Sequence, residues 1–257
     1  MNTPQSSSNP ESVFPGLPAT TDILGFAAGP LDTNCYVLID RSSLDANSGD
    51  SSSNSAEGVK EGVTAGVAAG QPAGRAVVID PGMGAKAVID ELADEYNFTV
   101  DSVVLTHGHI DHIRDAGALG VPVYVHPLDR FFLEESLEGS PFSELFDVAN
   151  MVQPEDIRDL EDTVEIGGVT FDVHHTPGHS PGHVMLRVGG LIIGGDVLFR
   201  GGVGRTDLPG CSPEDMLLTL KKITAEFADD DVVLPGHGPQ TTMGTEKRTN
   251  SFLHAVQ

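Results

Sequence analysis

Three imidazoles and one carboxylate are concentrated in residues 106–112, which read Thr-His-Gly-His-Ile-Asp-His. Imidazole and carboxylate groups are borderline-to-hard ligands that suit Zn²⁺, iron or Mn²⁺. The run directly follows the apolar residues 103–105, which predict a short strand, and a loop at the end of a rigid strand is free to turn ligands inward. Gly108 permits a tight backbone turn between the first two histidines. The run therefore predicts a metal-binding loop.

The same context recurs at three later points of the chain, where a predicted strand is followed by a small or rigid residue and one ligand-type side chain. Thr-Pro-Gly precedes His179, Gly-Gly precedes Asp196 and Pro-Gly precedes His237. A lone His-x-His pair is more often a polar surface loop than a metal site. Four strand ends of this kind, converging on one edge, instead favour a metal centre. Its candidate residues are His107, His109, Asp111, His112, His179, Asp196 and His237.

These residues resemble the metallo-β-lactamase superfamily, whose members carry a His-x-His-x-Asp-His motif, then a histidine, a bridging aspartate and a final histidine. The resemblance extends over residues 22–257, apart from 41–75. It implies an α+β fold, the αββα sandwich of two mixed β-sheets flanked by helices. It also implies two divalent metal ions, Zn²⁺ with iron or Mn²⁺ as alternatives. The implied ligands are His107, His109 and His179 for one ion, Asp111, His112 and His237 for the other, and Asp196 for both.

Four further runs are similar to the short, single-domain members of the glyoxalase II-like branch of this superfamily. They are residues 30–36, 176–183, 204–210 and 235–239. The similarity implies hydrolysis of a small-molecule thioester or ester by a hydroxide that bridges the two ions. The thiolate that leaves a thioester needs little protonation, so no separate general acid is required. The implied catalytic residues are Asp196, which bridges the ions, and Asp111, which we also expect to orient the hydroxide.

Three residues near these motifs have two interpretations each. Arg205 lies in a glycine-flanked loop, where it grips a substrate carboxylate or forms an ion pair with Asp207. The resemblance makes Asp80 a partner that orients the metal-binding loop, and the alternative is a turn cap. His183 either supports the metal ligands or packs in the core. By contrast, His126, which opens a His-Pro step after a strand, is interpreted as structural.

Three other functions remain open beside thioester hydrolysis. A persulfide dioxygenase shares the Gly-Arg-Thr-Asp run at 204–207 but uses a single iron held by two histidines and one aspartate, so the number of ions per chain separates it from the hydrolase. A lactonase, another ester hydrolase or a β-lactamase is the second alternative, and the second-site pattern of β-lactamases usually lacks Asp111-His112 in this form. A metal-binding scaffold is the non-enzymatic alternative. Lys247 and Arg248, in the segment after the final histidine, are interpreted as an exposed basic pair and not as glutathione contacts.

The composition restricts the partners and the compartment. The formal charge is −24, and a surface this acidic repels nucleic-acid phosphates and anionic lipid headgroups. We therefore expect a small-molecule substrate and neither nucleic acid nor membrane as a partner. The first ten residues lack the apolar segment of a signal peptide, and no apolar run approaches the roughly 20 residues that span a bilayer. With only two cysteines, Cys35 and Cys211, the chain is expected to be cytoplasmic, with reduced thiols.

The domain organisation follows from shifts in composition. The polar residues 1–20 predict a disordered tail, and one domain is expected over residues 21–257. Within that domain, residues 41–75 are rich in Gly, Ser and Ala and predict a flexible insertion between two strands. The predicted strands are 23–28, 35–39, 75–80, 103–105, 121–125, 164–166, 169–173, 184–188, 191–193 and 232–234.

Three helical regions are predicted from apolar spacing and end signals. The first is Ala85–Tyr96, whose apolar residues fall on one face. The second is 128–150, whose phenylalanines are interpreted as core, with an apolar lid over the site as the alternative. The third is 213–228, with Ser212 as the N-cap and a proline at the first helical position.

Overall fold

The fold is a sandwich of two mixed β-sheets that pack face to face, with helices on the outer faces, as the sequence predicted. The computed structural model describes residues 17–42, 64–65, 73–135 and 142–256. A sheet must bury its apolar faces, and the pairing of two sheets leaves each one an outer face for helices to cover. This arrangement confirms the expected α+β class.

The first sheet combines antiparallel and parallel pairing. Its strands are β1 (Thr21–Ala28), β2 (Thr33–Asp40), β3 (Thr64–Ala65), β4 (Gly74–Ile79), β5 (Phe98–Val104), β6 (Val123–Val125) and β7 (Ile157–Asp159). They lie in the order β3-β1-β2-β4-β5-β6-β7. The pairs from β4 to β7 are parallel, and the others are antiparallel. Strand β4 is almost continuously apolar because both of its faces are covered.

The second sheet is largely antiparallel. The remaining strands are β8 (Thr163–Ile166), β9 (Val169–His175), β10 (Val184–Val188), β11 (Leu191–Gly195), β12 (Leu198–Phe199), β13 (Gly202–Val203), β14 (Val232–Pro235) and β15 (Thr241–Thr242). The order is β15-β14-β11-β10-β9-β8, and β12 pairs with β13 alone. Only β11 and β14 are parallel neighbours in this sheet. All the predicted strands are present, and the strands that the sequence missed are only two or three residues long.

Aliphatic side chains fill three apolar layers. The central layer lies between the sheets and includes Leu38, Ile79 and Leu186. One outer layer packs the first sheet against its helix, and the other packs the second sheet around Ile223 and Phe227. Because the chain has no tryptophan, branched aliphatic residues supply most of this buried area. Both sheets are therefore held rigidly enough to fix the loops at their ends.

The helices are short except for two. They are α1 (Ala85–Tyr96), α2 (Ile110–Ile113), α3 (Phe131–Glu134), α4 (Pro213–Glu226), α5 (Met243–Thr249) and α6 (Ser251–His254). Helices α1 and α4 confirm two of the predictions, and the Ser212 hydroxyl accepts a hydrogen bond from the Asp215 N–H, as expected of an N-cap. Among the described residues, no helix reaches the length and hydropathy that crossing a bilayer would require.

The prediction of a helical region over 128–150 was wrong. Its described part holds only α3 and two single turns at Pro127–Asp129 and Val148–Asn150, and residues 136–141 lie outside the described chain. Tertiary contacts override helix propensity here, because the buried Arg114 guanidinium binds the carbonyl oxygens of Phe146 and Asp147. Phe146 is 1% exposed and is core, as the sequence interpretation preferred, but Phe131 and Phe142 are 38% and 40% exposed, so that interpretation was wrong for these two.

The described residues extend into both the predicted N-terminal tail and the predicted insertion. Leu17 is only 7% exposed and belongs to the central apolar layer, so ordered structure begins before residue 21. Arg41, placed by the sequence in the insertion, is buried and binds Asp22 at 2.6 Å. Thr64 and Ala65 pair with β1. The rest of the predicted tail and insertion, residues 1–16, 43–63 and 66–72, lies outside the described residues.

The burial of Leu17 leads to a stability prediction. Leu17→Ala should lower the free energy of unfolding by about 2 kcal/mol, because it removes a packed side chain from the core. Leu218→Ala is the matched control, since Leu218 is 63% exposed on α4 and should change stability by less than about 0.5 kcal/mol. Urea denaturation measures both values. Equal effects of the two substitutions would show that residue 17 does not belong to the folded domain.

Candidate metal centre

The ends of five strands bring all seven candidate residues together at one edge of the sandwich. The run 107–112 follows β5, His179 lies between β9 and β10, Asp196 follows β11 and His237 follows β14. Six of the seven supply donor atoms to compact groups, with the ligand atoms of each group within 4.8 Å of one another, and a third such group combines Asp80 with His107 and His112. The structure therefore brings together the seven side chains that the sequence selected as candidates. Strand β2 supplies additional contacts from the first sheet.

The first group consists of His107, His109 and His179. His109 Nδ1 lies 2.8 Å from His179 Nε2. The His107 ring packs edge-on against both of the other rings, with centroid distances of 4.8 and 4.9 Å. Across the 2.8 Å between His109 and His179, one ring can donate its N–H to the other ring's nitrogen, and a bound cation could take the place of that proton.

The second group consists of Asp111, His112 and His237. His237 Nε2 lies 3.1 Å from Asp111 Oδ2, and His112 Nε2 lies 3.4 Å from the same oxygen. His112 is completely buried, whereas the side chain of His237 is 27% exposed. Each group therefore has one partly exposed histidine, His237 in the second group and His109 in the first.

The Asp196 carboxylate lies between the two groups. Its Oδ1 is 3.4 Å from His112 Nε2, while its Oδ2 is 3.5 Å from the Nε2 atoms of both His179 and His237. One carboxylate thus contacts a histidine of the first group and two of the second. This is the position that a bridging ligand requires.

The donor set fits divalent cations. His107 Nε2, His112 Nε2 and Asp196 Oδ1 are buried and have no hydrogen-bond partner among the described residues. A buried polar atom without a partner costs about 1–3 kcal/mol, and native proteins rarely leave several in one place. Imidazole nitrogen and carboxylate oxygen are ligands for Zn²⁺, iron and Mn²⁺. Coordination of such ions by these atoms would supply the missing partners.

The histidines of the first group have lowered pKa values. Burial and the neighbouring His179 lower the pKa of His109 to about 4. Burial and the surrounding histidines hold the pKa of His107 well below its usual range. The pKa of His179 is also lowered, chiefly by burial. Neutral imidazoles are the form that binds metal, so this group needs no deprotonation at neutral pH.

The histidines of the second group have raised pKa values because they face carboxylates. Burial disfavours charge on His237, but the contacts with Asp111 and Asp196 outweigh it and raise the pKa of His237 to about 9. Burial likewise opposes charge on His112, whose pKa is nevertheless raised by Asp111, Asp196 and Asp80. A cation entering this group must therefore displace protons.

Asp80 supports the metal-binding loop, as the resemblance implied. Its Oδ1 accepts a hydrogen bond from the Thr106 N–H at 2.8 Å, and its Oδ2 accepts one from the Thr106 hydroxyl at 2.6 Å. His112 Nδ1 lies 3.0 Å from the same Oδ2. These contacts orient His112 so that its other nitrogen faces Asp196. They also maintain the left-handed backbone of Asp80, whose φ is 53°.

His183 is fully buried and acts on Asp196 through the backbone. Its Nε2 accepts a hydrogen bond from the Asp196 N–H at 2.9 Å, and its Nδ1 lies 3.0 Å from the Thr176 hydroxyl. The close approach requires Gly195, where a Cβ atom would lie 2.5 Å from His183 Nε2. His183 therefore supports a candidate ligand, which favours the first of its two interpretations.

Arg205 forms the ion pair that was one of its two interpretations. Its guanidinium donates two hydrogen bonds to Asp207, at 2.7 and 2.9 Å, and both side chains are exposed. The backbone of Arg205 has a second contact that the sequence did not predict. Its carbonyl oxygen lies 2.8 Å from His179 Nδ1, so the loop orients a ligand of the first group through its main chain.

Two supporting residues were missed by sequence reasoning. The Thr33 hydroxyl donates a hydrogen bond to Asp111 Oδ2 at 3.1 Å, and Thr33 also forms an isolated β-bridge with His237. His237 Nδ1 lies 3.1 Å from the Leu31 carbonyl oxygen. The second missed residue, Asp129, follows β6 in a Pro-Leu-Asp turn. That strand-end position repeats the signal that located the seven candidates.

The fold and the gathered histidine and aspartate side chains define a metallo-hydrolase type of site. A family model described as the Metallo-beta-lactamase superfamily matches residues 61–237. The chain belongs to the metallo-β-lactamase superfamily.

The curated relatives extend over most of the chain. An uncharacterized protein of Mycobacterium tuberculosis is 36% identical over 91% of this chain and 98% of its own length. A protein of Haemophilus influenzae named hydroxyacylglutathione hydrolase GloC is 32% identical over 70% of this chain and 88% of its own length.

Two solved structures are similar throughout the fold. The B3 metallo-beta-lactamase BLEG-1 has a TM-score of 0.68 and 31% identity, and the match covers 90% of this chain and 99% of BLEG-1. The protein TTHA1623, solved in a di-iron-bound form, has a TM-score of 0.63 and 32% identity, and the match covers 89% of this chain and 98% of TTHA1623. These matches support the fold and leave the substrate open.

The close approach of Gly236 to the site leads to a second prediction. A Cβ atom there would lie 2.1 Å from Asp196 Oδ1 and 2.7 Å from His112 Cε1. Gly236→Ala should therefore displace both side chains and weaken metal binding at least about 10-fold. Gly202→Ala is the control, because a Cβ atom at Gly202 meets nothing within 4 Å. Metal content after dialysis, measured by elemental mass spectrometry, tests the difference; equal contents would contradict the assignment of this edge as the metal centre.

Proposed function

We propose that the protein is a dinuclear metal-dependent hydrolase of the glyoxalase II-like kind, whose substrate is a small-molecule thioester. The observation that carries the proposal is the complete second group, in which Asp111, His112 and His237 lie together beside Asp196. A mononuclear site would need only one group of three ligands, and it would leave the buried His112 Nε2 without a partner.

The two groups divide the proposed ligands between two ions. His107, His109 and His179 would hold one ion, Asp111, His112 and His237 the other, and Asp196 would contact both. When bound, two divalent cations lower the pKa of water to about 7 and polarise a carbonyl oxygen. We expect Zn²⁺, and the di-iron form of the similar protein TTHA1623 keeps iron as an alternative.

The protein's own residues contribute orientation and proton handling. Asp111 Oδ2 is fixed by the Thr33 hydroxyl and by His237, and the Asp111 side chain keeps 12% of its surface exposed. Its carboxylate can therefore accept a hydrogen bond from an attacking water and hold that water in line with a carbonyl carbon. Burial raises and the neighbouring His112 lowers the pKa of Asp111, to a net value of about 2, so the carboxylate remains an acceptor.

A thioester is the substrate class that this arrangement favours. A thiolate leaves without prior protonation, so the site needs no additional general acid beyond the ligand set. The name of the Haemophilus influenzae relative, hydroxyacylglutathione hydrolase, belongs to this reaction class. The similar protein BLEG-1 is named a metallo-beta-lactamase. Cleavage of lactams, and of lactones, is therefore the alternative hydrolytic reaction.

The expected surroundings of the protein follow from its charge and its thiols. A formal charge of −24 disfavours nucleic acid and anionic membranes as partners. Cys35 and Cys211 are both free, and Cys35 is buried, which is consistent with a reducing compartment such as the cytoplasm. The guanidinium of Arg205 is already paired with Asp207, so we do not assign it to a substrate carboxylate.

Metal analysis combined with a hydrolysis assay tests the proposed function directly. The purified protein should contain about two metal ions per chain and should cleave S-D-lactoylglutathione. A chelator should abolish turnover, and addition of Zn²⁺ should restore it. Elemental mass spectrometry and the loss of thioester absorbance measure the two quantities on the same sample.

The outcomes separate the alternatives. One iron per chain, no thioester cleavage and oxygen consumption with a persulfide would overturn the proposal in favour of a dioxygenase. If the protein binds two ions and cleaves lactones or β-lactams but not thioesters, the dinuclear centre is supported and the proposed substrate class is wrong.

The role of Asp111 generates a fourth prediction. Asp111→Asn should lower kcat by about 100-fold with both ions retained, because the amide orients water less well than the carboxylate. Asp115→Asn is the control, since Asp115 is also buried but binds the N–H groups of Gly84 and Lys86 instead of site residues. Kinetics and metal content are measured together, and loss of an ion in the Asp111 variant would assign this residue to binding alone.

A further inference from the structure

Asp129 is a fully buried carboxylate that joins the two loops of the first metal group. It ends the turn Pro127–Asp129 after β6 and is 0% exposed. Its Oδ2 accepts hydrogen bonds from the Gly108 N–H at 2.9 Å and from the Ser180 hydroxyl at 2.5 Å. Its Oδ1 accepts one from the Gly182 N–H. Gly108 lies between two histidines of the first group, and Ser180 directly follows the third.

These contacts connect two different sheets. Gly108 follows β5 of the first sheet, whereas Ser180 and Gly182 lie between β9 and β10 of the second. The Val184 N–H also donates to the Thr106 carbonyl oxygen at 2.8 Å, so a backbone hydrogen bond joins the two sheets beside the site as well. Asp129 joins the two loops next to the histidines themselves, and it thereby helps to fix the 2.8 Å approach of His109 Nδ1 and His179 Nε2.

The chemistry of the contacts specifies a carboxylate. All three partners are donors, namely two backbone N–H groups and one hydroxyl. An asparagine has nearly the same shape, but its amide nitrogen would face a donor on whichever side it was placed. Packing leaves little room for adjustment, because a Cβ atom at Gly182 would lie 2.6 Å from the Asp129 nitrogen.

The second metal group is supported by different residues. Thr33 binds Asp111, the Leu31 carbonyl oxygen contacts His237, and Asp80 contacts His112. Among the described residues, the Asp129 carboxylate accepts hydrogen bonds from Gly108, Ser180 and Gly182, and from none of the residues that support the second group. A change at Asp129 should therefore act on one metal group and spare the other.

We infer that Asp129 is a positioning residue that sets the metal affinity of the first group, His107, His109 and His179, separately from the second. The inference rests on the proposed dinuclear centre, and it adds a residue that determines the affinity for one of the two ions. Partners that orient metal ligands typically contribute 10- to 100-fold to affinity, so the expected loss for the first ion is roughly 10- to 100-fold.

The test compares Zn²⁺ binding by Asp129→Asn with binding by the wild-type chain and by Asp231→Asn. Asp231 is a matched control, because it is 2% exposed and binds a backbone N–H and Arg187 away from the site. Stepwise affinities are measured by chelator competition after removal of all metal, with the free energy of unfolding measured on the same apo-proteins. Asp129→Asn should bind one Zn²⁺ with unchanged affinity and the other roughly 10- to 100-fold more weakly. Asp231→Asn should lose stability only.

A double variant identifies the ion that is affected. His237→Ala weakens the second group, so Asp129→Asn combined with His237→Ala should weaken both steps. If Asp129 acted on the second group, the double variant would keep the affinity of the first group that His237→Ala alone shows, and the inference would be overturned. Asp129→Glu, which keeps the charge but lengthens the side chain, should recover less affinity than the wild type and more than Asp129→Asn.

The remaining outcomes are also decisive. Unchanged affinities in Asp129→Asn, or an equal loss at both steps that follows the loss of stability as in Asp231→Asn, would reduce Asp129 to a structural residue. A wild-type chain that bound a single ion would instead overturn the dinuclear centre. The comparison between Asp129→Asn and Asp231→Asn would then be made on that ion, and equal affinities would overturn the inference as well.

Discussion

The contact of the Asp196 carboxylate with His112, His179 and His237 is the interaction on which the rest of the site depends. It gathers several polar groups into a place from which water is largely excluded, and such desolvation is costly unless charges and hydrogen bonds are satisfied. Neighbouring residues offset this desolvation cost, because each of them contacts one further polar atom of the site residues. His183 accepts from the Asp196 backbone, Asp80 contacts the far side of His112, and a carbonyl oxygen contacts the far side of His179.

The sandwich makes this gathering possible because neither sheet could do it alone. The first sheet supplies the run 107–112, and the second supplies His179, Asp196 and His237. Loops can approach each other this closely only if the sheets behind them do not slide. The apolar layer between the sheets prevents sliding, and glycines at 195 and 236 allow backbone and ligands to touch. The site thus requires both rigid strands and, at their ends, glycines that allow close approach of backbone and side chains.

The side chains that gather at the site could be selected from the sequence because strand ends carry a strong local signal, a short apolar run followed by glycine or proline and then histidine or aspartate. The same signal preceded Asp129, yet the chemistry of a lone aspartate after His-Pro is not distinctive, and its partners lie 21, 51 and 53 residues away. Thr33 is 78 residues from Asp111. The helix expected at 128–150 failed for a related reason, since Arg114 fixes that backbone from outside the segment. Pairings this distant are decided by the assembled fold, not by local pattern.

The hairpin formed by β1 and β2 ties the beginning of the described chain to its last metal-site loop. Leu31 and Thr33 contact His237, and the Asn34 side chain donates to the carbonyl oxygens of Pro235 and Gly238. An ion that binds only the folded arrangement lowers the free energy of that arrangement and so stabilises the contacts on which it depends. The stabilisation grows with the logarithm of the ion concentration divided by the dissociation constant. For an ion held by His237, as the proposed dinuclear centre requires, local opening of the hairpin and release of the ion would be coupled. The supply of metal would then influence how often β1 and β2 open and become accessible to hydrogen exchange or proteases.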